Sequence, residues 1–252
     1  MDFQYILLEK ENGIAWIKLN RPSVLNAFNR GMVRELLAAL EEAERDPSVR
    51  VVILKGNGRA FCVGADLKEY PLGGGIAEDI GFCGLWDKIE YLEKPVIAAV
   101  HGYAITGGFL LAYCCDIVVA AENTKFGDTH ARFGLIPTGG ETQRLPRRVG
   151  LMKARELMFT SELIDAREAE RIGLVNKVVP DDKLDEAAAE LAQKIAANSA
   201  KSIKVLKSLI NRGMEVDYAT GLRMEAAANK WGSINAEPDE DRERRLARFK
   251  KG

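Results

Sequence analysis

The sequence predicts an α/β fold followed by a helical C-terminal region, and three observations carry this prediction. Residues 51–54 and Val96–Val100 are continuous apolar runs of the kind found in strands that are covered on both faces. Residues 30–45 repeat apolar side chains at helical spacing, which is typical of a helix that packs on such a sheet. Strand-forming runs become scarce later in the chain, so we expect a strand–helix core over residues 1–198 and a helical region over residues 199–252.

The other elements are predicted from local signals. Residues 6–9 and Ile14–Leu19 predict a hairpin, because Asn12-Gly13 between them favours a tight two-residue turn. Asp46-Pro47 ends the helix that begins near Arg30. A strand is expected over residues 117–121, helices over residues 84–92, 142–149, 152–159, 166–172 and 183–198, and a loop over residues 126–137.

Composition and charge argue against several classes of function. The chain has 252 residues with 36 basic and 37 acidic side chains, so it lacks the basic excess of a nucleic-acid-binding protein. No apolar run approaches the roughly 18 residues that cross a bilayer, and the first residues lack the apolar core of a signal peptide. The four cysteines form no CxxC pair and only two histidines are present, so we expect no metal site. These features predict a cytoplasmic protein without a nucleic-acid or membrane partner.

Two strand-like runs are each followed by small residues. Val96–Val100 leads to Gly107-Gly108 at the start of an apolar helix, and residues 51–55 lead to Gly64-Ala65. The first turn of a helix leaves its N–H groups unpaired, and the helix dipole adds positive potential there. Two backbone donors of this kind are what an oxyanion hole requires, so we expect negative charge on an oxygen atom to be stabilised here.

Four motifs resemble those of the enoyl-CoA hydratase/isomerase (crotonase) family. They are LNRPSVLNAFN, FCVGADLKE, AAVHGYAITGG and FGDTHARFGLIPTGGETQRLPRRVG, in that order from about Leu19 to the C-terminal tail. The resemblance implies a superhelix of ββα turns that binds an acyl-CoA thioester, with no cofactor besides the coenzyme A of the substrate. It implies that the thioester oxygen lies between the backbone N–H groups of Ala65 and Gly107. It also implies that the C-terminal helices build a homotrimer, and that trimers pair into hexamers.

The sequence departs from the family at both residues that activate water. Hydratases of the family carry one glutamate in the central helix and another in a Pro-Glu pair of the following loop. The matching positions here are Leu110 and, in the pair Thr129-His130, His130. A leucine cannot transfer a proton, so hydration by two glutamates is not supported by this sequence.

Three other side chains are candidates for acid/base chemistry. His130 has an ordinary pKa near 6.5, which suits proton transfer at neutral pH, unless it is a structural loop histidine. Asp128 either orients His130 or is a turn residue, and Glu141 either joins them or only favours the start of a helix. His101, at the end of a strand, is expected to be structural.

The resemblance also implies positions for substrate binding. The matching residues are Val24, Asp66, Leu67 and Lys251 for coenzyme A, with Gly108 and Leu110 beside the acyl group. Leu110 makes the floor of the acyl site more apolar than a glutamate would, which favours a bulky or alicyclic acyl group. Residues 71–81 are glycine-rich and are either a surface loop or a lid.

These observations favour an acyl-CoA enzyme that forms a thioester enolate, hydratase- or dehydratase-like, with a non-standard acid/base. Isomerisation, decarboxylation and thioester hydrolysis use the same enolate or oxyanion and stay open. A non-catalytic acyl-CoA-binding or regulatory protein is the second hypothesis, because both glutamates are absent. A protein with this fold that acts mainly as an interaction partner is the third, and the balanced charge argues against it.

Overall fold

The computed structural model describes residues 3–70, 80–234 and Ala247, and it has an α/β architecture with two sheets. The strands are β1 (Ile6–Glu11), β2 (Ile14–Leu19), β3 (Val51–Gly56), β4 (Val96–Val100), β5 (Tyr103–Ile105), β6 (Ile117–Ala121), β7 (Lys125–Gly127), β8 (Ile164–Asp165) and β9 (Lys177–Val179). The helices are α1 (Arg30–Arg45), α2 (Ile80–Glu90), α3 (Gly107–Cys114), α4 (Glu141–Val149), α5 (Leu151–Thr160), α6 (Ala166–Arg171), α7 (Leu184–Ala196), α8 (Ala200–Gly213) and α9 (Tyr218–Ile234). Short 3-10 turns cover Pro22–Val24, Ala131–Phe133 and Asp181–Lys183.

The larger sheet has six strands in the order β1-β2-β3-β4-β6-β9. The β1–β2 pair is antiparallel, and every later pair in this sheet is parallel. The predicted hairpin is confirmed, and Asn12 and Gly13 take positive φ values of 51° and 80° as its turn requires. The parallel arrangement means that the carboxyl ends of β2, β3, β4 and β6 lie along one edge of the sheet.

The strand β3 is covered on both faces, as its continuous apolar run predicts. Val52 and Leu54 point into the main core, which α1 and α3 also line, whereas Val51 and Ile53 point into a second core against α7. All four side chains are fully buried. Because the side chains of a strand alternate between faces, only an unbroken apolar run fills both cores.

The smaller sheet has three strands in the order β5-β7-β8. The chain enters it from β4 through His101-Gly102, where Gly102 has φ +61° and a Cβ would overlap the Arg59 carbonyl oxygen. The sequence prediction missed β5, and it was wrong about residues 126–137, which begin with part of β7 and include the 3-10 turn Ala131–Phe133. Strands of two or three residues are too short to show an alternating pattern, so they are visible only through their pairing.

The helical C-terminal region expected after residue 199 is confirmed over α8 and α9. Lys207 of α8 is buried and donates from Nζ to Asp116 Oδ2 at 2.7 Å and to the carbonyl oxygens of Ile89 and Lys94. This ion pair fixes α8 on the core beside the start of β4. The predicted helix over residues 84–92 begins earlier, at Ile80. Within the described ranges, no helix has the length and apolar character needed to span a membrane.

Candidate active site

Two backbone turns meet beside the amino end of α3, one that contains Gly64-Ala65 and a second, Thr106-Gly107-Gly108, that leads from β5 into α3. The first follows β3, and its Cys62 pairs with Ala104 of β5. The Cys62 N–H donates to Tyr103 O, and the Cys62 carbonyl oxygen accepts from Ile105 N, each at 3.0 Å. The same turn pairs with Phe28, whose N–H donates to Gly64 O at 2.7 Å and whose carbonyl accepts from Asp66 N at 2.8 Å. These bonds on both sides of Ala65 hold its peptide in a fixed orientation.

Glycines let the two turns touch. Gly64 has φ +91°, and a Cβ there would lie 3.1 Å from Gly107 N. At Gly108 a Cβ would overlap the carbonyl oxygen of Cys62. Gly108 is therefore required by the packing of one backbone segment on another, in addition to its expected position beside the acyl group.

The backbone N–H groups of Ala65 and Gly107 are the donors expected from the sequence. Within residues 3–70 and 80–234, neither group donates a hydrogen bond to another backbone or side-chain acceptor. Gly107 is the first residue of α3, so its N–H is one of the unpaired donors of a helix start. Both amides therefore keep a donor that no acceptor in the described part of the chain uses.

Asp128 and His130 form a hydrogen-bonded pair in the loop after β7. Asp128 Oδ1 lies 2.6 Å from His130 Nδ1 and also accepts from the His130 backbone N–H at 2.9 Å. The side chain of Asp128 is 2% exposed and that of His130 is 15% exposed. Asp128 thus fills both of the roles considered from the sequence, because it closes a local turn and orients the imidazole ring.

The electrostatic environment favours a charged imidazole. Burial lowers the pKa of His130, but the hydrogen bond and charge of Asp128, with the charge of Glu141, outweigh burial and raise this pKa above its ordinary value. In the neutral ring, a proton on Nδ1 donates to the Asp128 carboxylate and leaves Nε2 as the basic atom.

Glu141 is the first residue of α4, yet it is not a solvated residue at a helix start. Its side chain is buried, and Oε2 accepts from Gly139 N at 2.9 Å. Burial raises the pKa of Glu141 and the charge of Asp128 adds to this rise, while His130 opposes it. Glu141 therefore belongs to the same electrostatic cluster as the Asp128–His130 pair.

Tyr113 is a member of this cluster that the sequence prediction missed. It lies on α3 three residues after Leu110, it is buried, and its hydroxyl has no hydrogen-bond partner in the described part of the chain. Burial raises the pKa of Tyr113, and the charges of Glu141, Cys114 and Asp128 raise it further. Asp128 Oδ2 is likewise buried without a described partner. A phenol in an otherwise apolar helix was the signal that could have marked this position.

Leu110 fills the position between these polar groups and the aromatic core. It is fully buried, and a Cβ added to Gly139 would overlap Leu110 Cδ2 and lie 2.7 Å from Trp86 Nε1. Trp86 in turn meets Phe28 edge to face at 5.8 Å between ring centroids. Leu110 is therefore packed against Gly139 and Trp86 and carries no ionisable group.

The residues expected to meet coenzyme A lie near the first turn. Asp66 accepts from Arg21 at 2.9 Å, and Arg21 also donates to Ala27 O at 2.6 Å. Val24 and Leu67 are 36% and 55% exposed, so their surfaces are accessible to a ligand. Lys251 and residues 71–79 of the glycine-rich segment lie outside the described residues. His101 Nε2 donates to Gly58 O at 3.0 Å, as expected for a structural role.

The fold and this arrangement define an α/β protein in which two backbone amides without a described acceptor lie beside a buried cluster of ionisable side chains. A model of the enoyl-CoA hydratase/isomerase family matches residues 9–240, and the chain belongs to this family. The crotonase-type fold and the helical C-terminal region expected from the sequence are thereby confirmed.

Individual relatives agree over most of the chain. A probable enoyl-CoA hydratase of Rhizobium meliloti is 42% identical over 229 residues, covering 89% of this chain and 88% of the relative. The short-chain-enoyl-CoA hydratase of Clostridium acetobutylicum is 43% identical over 232 residues, covering 90% and 89%. The crystal structure of an enoyl-CoA hydratase from Bacillus anthracis has a TM-score of 0.89 at 38% identity and covers 98% of this chain and 96% of that one.

Proposed function

We propose that this protein is an acyl-CoA enzyme that stabilises a thioester enolate and adds water to a 2-enoyl-CoA, with His130 as its acid/base. The observation that carries the proposal is the buried Asp128–His130 hydrogen bond of 2.6 Å in the loop that follows the oxyanion turn. The hydratase names of several relatives support the substrate class. The absence of a glutamate at Leu110 and at His130 makes the acid/base different from the pair that the family resemblance implies.

In this mechanism the backbone amides of Ala65 and Gly107 bind the thioester oxygen. Negative charge grows on that oxygen when the enolate forms, and the dipole of α3 points its positive end toward Gly107. Each donor of such a hole contributes about 10²–10³ in rate. Val24, Asp66 and Leu67, together with Lys251, are the proposed contacts of coenzyme A.

The proton transfers are assigned to side chains. His130 Nε2 takes a proton from water while the oxygen of that water bonds to the β-carbon of the enoyl group. Asp128 stabilises the imidazolium that forms, because its Oδ1 holds the Nδ1 proton. Glu141, whose pKa burial raises, holds a proton more readily than an exposed glutamate and is the proposed donor to the α-carbon. The proton that His130 has taken then replaces the one that Glu141 has given, so the cycle closes.

The reaction class is tested by mass measurement in D₂O. We expect wild-type protein, incubated with crotonyl-CoA and longer 2-enoyl-CoA thioesters, to add one water to the substrate. Deuterium uptake without added water would indicate an isomerase, and loss of carbon dioxide or of coenzyme A would indicate a decarboxylase or a thioester hydrolase. Binding of the thioesters without any change of mass would support the hypothesis of a non-catalytic binder.

The role of His130 is tested by His130→Ala. We expect kcat to fall by about 10²–10⁴, which is the usual contribution of a general acid/base, while the affinity for a saturated acyl-CoA changes less than about threefold. His101→Gln is the matched control, since His101 is the other of the two histidines and bonds the carbonyl oxygen of Gly58 instead of Asp128. Equal kcat values for wild type and His130→Ala would show that His130 carries no chemistry.

We also propose that the protein assembles as a homotrimer, or as a hexamer of two trimers. Leu206, Ile210 and Met214 follow one another at four-residue spacing on α8 and at its end, and each is more than half exposed. A line of exposed apolar side chains of this kind marks a protein–protein contact. Light scattering is expected to give three or six times the 27.8 kDa mass of the chain, and a monomer at micromolar concentration would contradict the proposal.

A further inference from the structure

Thr106, the residue before Gly107, has a backbone conformation that threonine rarely adopts. Its φ is 56° and its ψ is −117°. Leu25 and Ser161, which also have positive φ, take the ordinary left-handed conformation with ψ of 37° and 28°. The values at Thr106 instead match the first central position of a type II′ turn, which glycine dominates. A β-branched side chain in this region is strained, so threonine must contribute something here that glycine lacks.

What the side chain of Thr106 contributes is a hydroxyl bond to the acid/base loop. Thr106 Oγ1 lies 2.7 Å from Thr129 Oγ1, and the Thr106 backbone N–H donates to Gly127 O at 2.8 Å. Thr129 is buried and stands between Asp128 and His130 in the chain. The Cβ of Thr106 lies beside Gly64, at 3.2 Å from where a Cβ of that residue would be. The side chain of Thr106 therefore links the first turn, at Gly64, to the loop that carries the imidazole, at Thr129.

The hydroxyl pair joins the two functional halves of the site at their nearest residues. Thr106 is covalently bonded to Gly107, whose amide is a proposed oxyanion donor. Thr129 is covalently bonded to both Asp128 and His130. The two hydroxyls use one proton between them, so the pair fixes the distance between the two segments and keeps one further O–H donor.

We propose that the Thr106–Thr129 hydroxyl pair positions the proposed oxyanion turn and the Asp128–His130 pair relative to each other, and that the strain at Thr106 is retained for this purpose. The inference rests on the proposed function of the same site. Thr106 and Thr129 act through Gly107 and His130, so they are positioning residues and take no part in proton transfer. A displacement of about 1 Å between an oxyanion donor and a base is enough to lower turnover without weakening substrate binding.

The first test compares variants that lose or keep a hydroxyl, all of which retain a Cβ at positions 106 and 129. Thr106→Ala and Thr129→Val remove a hydroxyl, and Thr106→Ser and Thr129→Ser keep one. With crotonyl-CoA, we expect each hydroxyl-free variant to lose about tenfold in kcat with KM changed less than about threefold, and each serine variant to stay within about threefold of wild type. The double variant Thr106→Ala/Thr129→Val is expected to be no slower than either single variant, because both remove the same contact. Unchanged kcat, or losses that multiply in the double variant, would overturn the proposal.

The second test does not depend on turnover. The chain has only two histidines, so NMR titration resolves His130, with His101 as an internal reference. We expect Thr129→Val to lower the pKa of His130, because a loosened loop weakens the Asp128 hydrogen bond, while Thr129→Ser and the His101 titration stay as in wild type. If wild-type protein turns over no thioester, the proposed function fails, and this titration alone decides the inference. A His130 titration in Thr129→Val that equals wild type would then overturn it.

Discussion

The backbone turns proposed as the oxyanion site and the buried cluster proposed for acid/base chemistry lie side by side in this protein, but they are built in different ways. The turns use backbone atoms alone, and their shape follows from strand ends and from Gly64 and Gly108. The cluster uses side chains from three separate elements, namely the loop after β7, the start of α4 and the last turn of α3. One region depends on the path of the chain, and the other depends on which side chains the chain carries.

The family resemblance implies that Leu110 and His130 stand where hydratases carry glutamates, and this difference accounts for a retained fold at such positions. Replacing a glutamate by Leu110 changes no backbone atom of the turns, because Leu110 lies in the interior of α3. The backbone donors therefore survive changes that alter the acid/base. His130, Asp128 and Glu141 instead bring protonation equilibria that burial and mutual charge have shifted. Under the proposed function, the side-chain cluster decides the reaction and the turns stabilise the enolate.

The largest effect is expected from an added methyl group in the turns. In Gly108→Ala the new Cβ overlaps the Cys62 carbonyl oxygen, so one backbone segment must move away from the other. We expect kcat to fall by about 10²–10³ or more, as when an oxyanion donor is lost, and the free energy of unfolding to fall by about 1–3 kcal/mol. Steady-state kinetics with crotonyl-CoA and urea unfolding measure the two effects.

Gly84→Ala is the matched control for that substitution. Gly84 lies inside α2, and among the described residues no atom is within 4 Å of an added Cβ. Alanine is also the better helix former, so the control is expected to be as stable as wild type or slightly more stable. If Gly108→Ala keeps full activity in a folded protein, the turns are not the unit that stabilises the enolate.

The sequence predicted the backbone turns better than the side-chain cluster. The turns follow from local sequence signals, whereas most of the cluster is brought together by contacts between distant parts of the chain. Val96–Val100 and the glycines after it are local signals, so β4, α3 and the turn between them could be placed, apart from the three-residue strand β5. The Asp128–His130 pair was within reach because its members are two residues apart in one loop. The sequence left open whether Asp128 orients His130. In the structure Asp128 Oδ1 lies 2.6 Å from His130 Nδ1.

The remaining parts of the cluster depend on tertiary packing. Tyr113 and Glu141 are 28 positions apart by their residue numbers, and nothing in either local sequence shows that both are buried in one place. The strain at Thr106 was invisible as well, because a Thr-Gly-Gly sequence is compatible with an unstrained helix start. Thr106 directly follows β5 and its N–H donates to Gly127 O of β7, and three-residue strands have no sequence pattern of their own.

The smallest effect is expected when one negative charge of the cluster is removed. Asp128→Asn keeps the size of the side chain but removes the negative charge that raises the pKa of His130, so this pKa is expected to fall. If His130 acts as the base, the acidic limb of the kcat/KM profile moves to lower pH by the same amount as the NMR titration of His130. Asp165→Asn is the control, because Asp165 caps α6 and is expected to leave both measurements unchanged.

The same substitution has a defined consequence for stability. The pKa of His130 is raised in the folded protein, so its contribution to stability is fully present below the unfolded pKa of about 6.5 and is lost as the pH rises through the folded value. Wild type is therefore expected to exceed Asp128→Asn in unfolding free energy by more at about pH 6 than at about pH 9. Gly108→Ala adds and removes no titratable side chain, so it should show a stability loss that hardly depends on pH over this range. A stability difference for Asp128→Asn that is constant across the range would mean that Asp128 acts in the folded protein as a turn residue alone.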